Sequence, residues 1–291
     1  MTTYPYRLLN VFAEATFGGN PLCVFEDATG LSDQQMQALA LQFNLSETVF
    51  LLPSKLASAR MRIFTTGHEM AFAGHPALGT AQVVHDLLQT GDALTLECRA
   101  GVVPVSLRDG VWTFSPPNAG APQVMSCELS PAQVAALLGL AEHDLAAEPL
   151  WVNTGSDQLL VPLKTAEAVR RAQPDSAALA YWPANSLGRK TAYVFAPDGA
   201  APAAGERLPL LARYFFAKVG GGVAEDPGTG SACANLGGWW LHSGRRLPAS
   251  LLISQGEQVQ RPSQLYLDIG ADSRIRVGGR VLEIGRGVIQ I

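Results

Sequence analysis

Apolar positions along the chain follow two periods. In "LSDQQMQALALQFN", Met36, Leu39, Ala40 and Phe43 fall at i, i+3, i+4 and i+7, the spacing of one helix face. Ser32 in front of them, with Gln35 three residues on, forms a capping box, so a helix is predicted to begin after Ser32. In "HPALGTAQVVHDLLQTG", His75 takes an N-cap-like position and Pro76 the first helical one. Val83, Val84, Leu87 and Leu88 share a face, and Gly91 ends the helix. A third helix is predicted from Ser130-Pro131, and a fourth from Pro227 to about His242, with Asp226 as its cap. Short β-rich runs fill the remainder: 6–12, 22–25, "ETVFLL", "ARMRIFT", several between 93 and 114, "PLWVN", "LLVPL", "RYFFAKV" and four near the carboxyl end. The stretches 66–74, 197–209 and Gly220 to Gly222 are expected as loops, and "SPPNAGAP" as a linker.

The strand-loop-helix order occurs twice, and so do its letters. "GHPALGTA" at 74–81 and "EDPGTGSA" at 225–232 share the pattern x-[His/Asp]-Pro-x-x-Gly-[Thr/Ser]-Ala, 151 residues apart. "FGGNPLCV" at 17–24 and "TGSDQLLV" at 154–161 share Gly, Asn or Asp, Leu and Val, 137 apart. Two matches in the same order, each half a chain apart, predict two similar domains about a pseudo-twofold axis. The boundaries expected are 1–119 and 120–278, with a last strand at about 279–291 allowed to return to the first domain.

If such halves face each other, His75 and Asp226 line one cleft from opposite sides, and helix N-terminal N–H groups behind them favour a carboxylate or an enolate-like oxyanion. Gly74, Gly79, Gly228 and Gly230 would let backbone approach a ligand. One group breaks the symmetry. "NLSETVF" matches "RKTAYVF" loosely and gives Glu47 Thr191 as its approximate counterpart, so a carboxylate stands in one half alone and Glu47 is a candidate general base for a carbon-bound proton.

Composition narrows the chemistry. The chain has 291 residues, 47% of them hydrophobic and 16% charged, with a net charge of −4. That balance gives no basic excess for nucleic acid or an acidic membrane surface and favours a small-molecule partner. No charged-then-apolar leader and no run of about 18 apolar residues is apparent, so a cytoplasmic protein is expected. Cys23, Cys98, Cys127 and Cys233 lie far apart without C-x-x-C spacing and are expected as buried free thiols. His68-Glu69 lacks a histidine four residues on, so no H-E-x-x-H metal motif is present, and no phosphate-binding loop or G-x-S-x-G elbow is found; neither metal nor cofactor is expected.

The motifs "VFAEATFGGNPLCVF", "NLSETVFL", "AFAGHPALGTA", "EDPGTGSA" and "SQGEQVQRPS" together resemble the phenazine-biosynthesis PhzF-like family, which shares its fold with diaminopimelate epimerase. The resemblance runs nearly end to end. It implies an α+β protein of two pseudo-symmetric domains, each a curved mixed or antiparallel sheet wrapped around a central helix, and a homodimer. It implies a cofactor-independent isomerase of a small carboxylate-bearing metabolite, cyclic amino acids included, that moves a proton between carbons through Glu47. His75 and Asp226 match further catalytic positions; Asn20, Ser46, Gly74, Gly230 and Ser231 are assigned to substrate binding. The related epimerases carry two cysteines near the positions of Gly74 and Asp226, and their absence here favours a single base. Thr66, Gly228 and "NLGGWW" depart from the family pattern. The alternatives are an amino-acid epimerase or racemase, or a non-catalytic metabolite-binding protein on the same fold.

Overall fold

The computed structural model describes residues 1–116, 122–200, 202–203, 205–218 and 220–291. The chain divides into two compact units, Met1–Pro117 with Val277–Ile291, and Asn118–Arg276. The expected linker "SPPNAGAP" falls largely on residues 117–121, outside the described ones.

The first unit holds β1 (Thr3–Val11), β2 (Asn20–Phe25), helix α1 (Asp33–Phe43), β3 (Glu47–Leu52), β4 (Ala59–Phe64), β5 (Glu69–Met70), helix α2 (Gly74–Leu88), β6 (Ala93–Cys98), β7 (Gly101–Arg108) and β8 (Val111–Phe114). Strand β1 pairs antiparallel with β2, β2 parallel with β3, β3 antiparallel with β4, β4 antiparallel with β5 and parallel with β6, and β6, β7 and β8 follow antiparallel. Two strands return from the carboxyl end: Val277 to Gly279 pair with β8, and Val281–Gln290 pairs with β1. Helix α2 contacts β1, β2, β3, β4, β6, β7 and β8, so the sheet curls around it. Its residues Gly74 to Ala81 are all buried. Gly79 permits that closeness, since a Cβ there would sit 2.5 Å from Leu22 Cδ2. Helix α1 covers the outer face over an aromatic cluster that includes Phe25, Phe50 and Phe64.

The second unit repeats the plan with β9 (Gln123–Ser126), helix α3 (Pro131–Leu137), β10 (Leu150–Asn153), β11 (Asp157–Pro162), helix α4 (Ala166–Arg171), β12 (Thr191–Pro197), β13 (Leu208–Ala217), β14 (Val223–Asp226), helix α5 (Gly230–His242), β15 (Ala249–Gln255) and β16 (Ser263–Ile269). From β10 onward the pairings run antiparallel, parallel, antiparallel, antiparallel, parallel, antiparallel, the same series as from β1. Helix α5 is the enclosed one and α4 the outer one. Each unit is thus a curved mixed sheet around a central helix, the α+β architecture of the diaminopimelate epimerase-like fold.

Strand register fixes which residues correspond. Cys23 pairs with Thr48, Thr48 with Phe64, and Phe64 with Glu69. In the second unit Leu159 pairs with Ala192, Ala192 with Phe215, and Phe215 with Glu225. Cys23 and Phe64 face the outer-helix core of one unit, Leu159 and Phe215 that of the other. On this register Glu47 stands opposite Thr191. Both letter matches, however, align residues that are not equivalent. Asn20 corresponds to Ser156 and not Asp157, a slip of one residue that would reverse every side chain. The hairpin between Phe215 and Glu225 is five residues longer than that between Phe64 and Glu69, so beyond it Met70 corresponds to Asp226, Gly74 to Gly230 and His75 to Ser231.

Several element boundaries differ from expectation for local reasons. Helix α2 starts at Gly74 behind the extended Ala73, so His75 and Pro76 are its second and third residues; proline is tolerated there because first-turn N–H groups have no intrahelical partner. It ends where Gln89 turns left-handed at φ 50, ahead of Gly91. Leu87 and Leu88 are 41% and 56% exposed, outside the core face assigned to them. Asp226 is the last residue of β14 and not a helix cap: α5 begins at Gly230 with Thr229 in front. The segment expected as a loop before α2 contains the two-residue strand β5.

Candidate active site

In the first unit the parallel partner β3 delivers Glu47, and the buried start of α2 delivers His75. Glu47 Oε2 lies 3.3 Å from His75 Nε2, and the two side chains are 15% and 7% exposed. Burial pushes the His75 imidazole down to about 3, because a charged ring would lose its hydration there. The ring therefore stays neutral near pH 7 and presents a dipole to Glu47, not a cation that would hold its carboxylate deprotonated and weaken it as a base. Gly74 precedes His75 within the same turn. Asn20 opens β2 and is fully buried, two residues before Leu22, which pairs with Glu47. Ser46 is exposed just ahead of β3.

In the second unit Asp226, Gly230 and Ser231 fall on one strand-turn-helix segment. Thr229 Oγ1 donates to Asp226 Oδ2. Gln255 is fully buried and donates to the Asp226 carbonyl at 2.8 Å and to Thr229 Oγ1 at 3.0 Å, and its own oxygen accepts from the Thr229 N–H at 3.3 Å. The next residue, Gly256, adopts φ +83; a Cβ there would lie 2.5 Å from the Pro227 carbonyl, so the two backbones can meet only at glycine. Ser231 Oγ accepts from Gln158 Nε2 at 3.0 Å. Gln158 accepts in turn from Asn235, whose oxygen takes the Thr154 N–H at 2.8 Å and hydroxyl at 2.7 Å. Asp226 pairs across the strands with Tyr214, whose phenol is pushed up by burial above all.

The helix starts divide into two groups. Helices α1, α3 and α4 have side-chain caps from Ser32, Ser130 and Thr165. The enclosed helices α2 and α5 have none: Ala73 cannot provide one, and the Thr229 hydroxyl is turned to Asp226. Their leading N–H groups have no side-chain cap.

Sequence motifs located Glu47, His75, Asp226 and Ser231, but they missed the groups that hold them. Thr229, Gln255, Gln158 and Asn235 were within quoted motifs and carried no role. Their signal was polarity at buried positions, which needs the fold before it can be recognised. The four thiols are pushed up by burial, three of them in fully or nearly fully buried sites. Among the described residues no group of three or more His, Cys, Asp or Glu side chains could hold a metal ion, and no helix is long and apolar enough to cross a membrane.

This constellation lies on a chain with close relatives. The phenazine biosynthesis-like protein family, PhzC-PhzF, matches residues 9–287. An uncharacterized isomerase of Pasteurella multocida (strain Pm70) is 41% identical over 289 residues, covering 99% of this chain and 94% of that protein. A trans-2,3-dihydro-3-hydroxyanthranilate isomerase of Pseudomonas aeruginosa is 32% identical over 287 residues, covering 93% and 92%. Among solved structures, a PhzF-family phenazine biosynthesis protein of Bacillus anthracis shares the fold with a TM-score of 0.83 at 22% identity, over 100% of both chains. The chain belongs to the PhzC-PhzF family of phenazine biosynthesis-like proteins, and it is an isomerase of that family.

Proposed function

We propose that this isomerase moves a proton between carbons of a small carboxylate-bearing cyclic amino acid, with Glu47 as the group that takes and returns the proton. The observation that carries the reading is the buried Glu47–His75 contact of 3.3 Å beside a ring held neutral. A carboxylate with a neutral imidazole partner can accept a carbon-bound proton, and the imidazole N–H can steady it before and after transfer. In the first unit the N–H groups at the uncapped start of α2 receive the electron-rich oxygen formed during transfer, and in the second unit Asp226, Ser231 and the uncapped start of α5 present polar groups suited to a carboxylate-bearing substrate. The substrate class follows the relative named trans-2,3-dihydro-3-hydroxyanthranilate isomerase.

The test is Glu47→Gln assayed on trans-2,3-dihydro-3-hydroxyanthranilate and a panel of cyclic amino acids. Turnover is expected to fall by about 10²- to 10⁴-fold while substrate binding, read by calorimetry, stays close to the wild type. A glutamine variant that turns over at the wild-type rate contradicts the assignment.

A further inference from the structure

Each unit contains one arginine wired in the same way. In the first, Arg62 on β4 grips Glu69 on β5 with a two-pronged contact, Nε to Oε1 at 2.8 Å and Nη2 to Oε2 at 2.9 Å. In the second, Arg213 on β13 grips Glu225 on β14 through the same atoms, at 3.1 and 2.7 Å. The remaining nitrogen reaches the outer helix in both. Arg62 Nη1 donates to Asp33 at the start of α1, and Arg213 Nη1 donates to the Val169, Arg170 and Ala172 carbonyls at the end of α4. Each guanidinium also lies over the phenylalanine two residues on, Phe64 at 5.1 Å and Phe215 at 4.7 Å. Strand register makes Arg62 and Arg213 equivalent, and likewise Glu69 and Glu225.

The gripped carboxylates share a position as well as a partner. Glu225 is the residue before Asp226, and Glu69 belongs to the two-residue strand that ends four residues before Gly74. A strand of two or four residues has few ladder bonds with which to hold its place. An arginine fork supplies two directed bonds and a planar orientation that a lysine cannot copy. The side chains concerned are only 8% to 16% exposed, where screening by solvent is weak.

We propose that Arg62–Glu69 and Arg213–Glu225 are paired positioning clamps for the isomerase reaction. Each ties the outer helix to the short strand that leads into the enclosed helix, and so fixes where His75 and Asp226 stand without touching substrate. The proposal rests on the site reading given above.

The variants are Arg213→Lys and Arg62→Lys, each alone, with Arg213→Lys also in an Asp226→Asn background. In the intact protein, backbone amide exchange over 223–232 should quicken by about tenfold in Arg213→Lys, and over 69–76 in Arg62→Lys, with the outer sheet unchanged. Turnover of trans-2,3-dihydro-3-hydroxyanthranilate by Arg213→Lys should fall by about tenfold with KM nearly constant, the pattern of a misplaced group. In the Asp226→Asn background the same lysine should change turnover by less than about twofold, because its effect runs through Asp226. An Arg213→Lys loss that multiplies undiminished onto Asp226→Asn overturns the clamp and leaves the site reading standing. A silent Asp226→Asn overturns Asp226's part in the site reading, and amide exchange alone then decides the clamp: wild-type exchange over 223–232 in Arg213→Lys refutes it.

Discussion

The two units share a backbone plan and differ in the side chains it carries. Where the first places Glu47, the same register in the second places Thr191; where the first places His75, the second places Ser231. The first therefore holds a carboxylate and an imidazole in contact, and the second places Asp226 and Ser231 among uncharged hydrogen-bonding side chains. Duplication preserved strand pairing, the enclosed helix and its bare N-terminus. An isomerase that returns the proton it has taken needs one base, which suits a duplication that keeps a titratable carboxylate in a single half.

The sharpest way to break this comparison is to exchange its ends. Glu47→Gln is expected to lose about 10²- to 10⁴-fold in turnover, and the counterpart Thr191→Val to retain wild-type turnover, both read by steady-state kinetics. Next in size is Gly256→Ala, which forces a Cβ at φ +83 against the Pro227 carbonyl; about 2 kcal/mol of stability should be lost in denaturant unfolding, with displacement of the Asp226 turn. His75 gives a pH dependence. Its ring titrates at about 3 when folded against 6.5 for a free histidine, so between those values the unfolded chain binds the extra proton. Stability should be independent of this group above pH 6.5 and fall as pH drops toward 3, and His75→Asn should flatten that slope in thermal melts. The smallest effect belongs to the capped helices. Ser130→Ala should lower stability by about 1 kcal/mol and leave turnover unchanged, since α3 carries neither a site residue nor an anchor of either clamp.

Much of the fold was legible. The capping box at Ser32 and the helix start at Ser130-Pro131 lie where the letters put them, because a cap depends on residues close in sequence. The duplication was also visible, yet its register was not. A five-residue difference in hairpin length set His75 against Asp226 in the letters, whereas the strands set His75 against Ser231 and Met70 against Asp226. Periodicity cannot measure a hairpin; cross-strand pairing does. The start of α5 was misjudged for a related reason, since Pro227 suits a turn leaving a strand as well as the first turn of a helix. Glu47 and His75 were both named from motifs, but their contact joins residues from a strand and a helix that only tertiary packing brings together.

The measurement closest to the central claim is deuterium transfer followed by NMR, with wild type and Glu47→Gln run side by side in heavy water on trans-2,3-dihydro-3-hydroxyanthranilate. Deuterium at the receiving carbon of the wild-type product, entering where the proton held on Glu47 exchanges with solvent before it is delivered, and none above background with the variant, is the predicted result. Equal labelling by both proteins would contradict it and move the base away from Glu47.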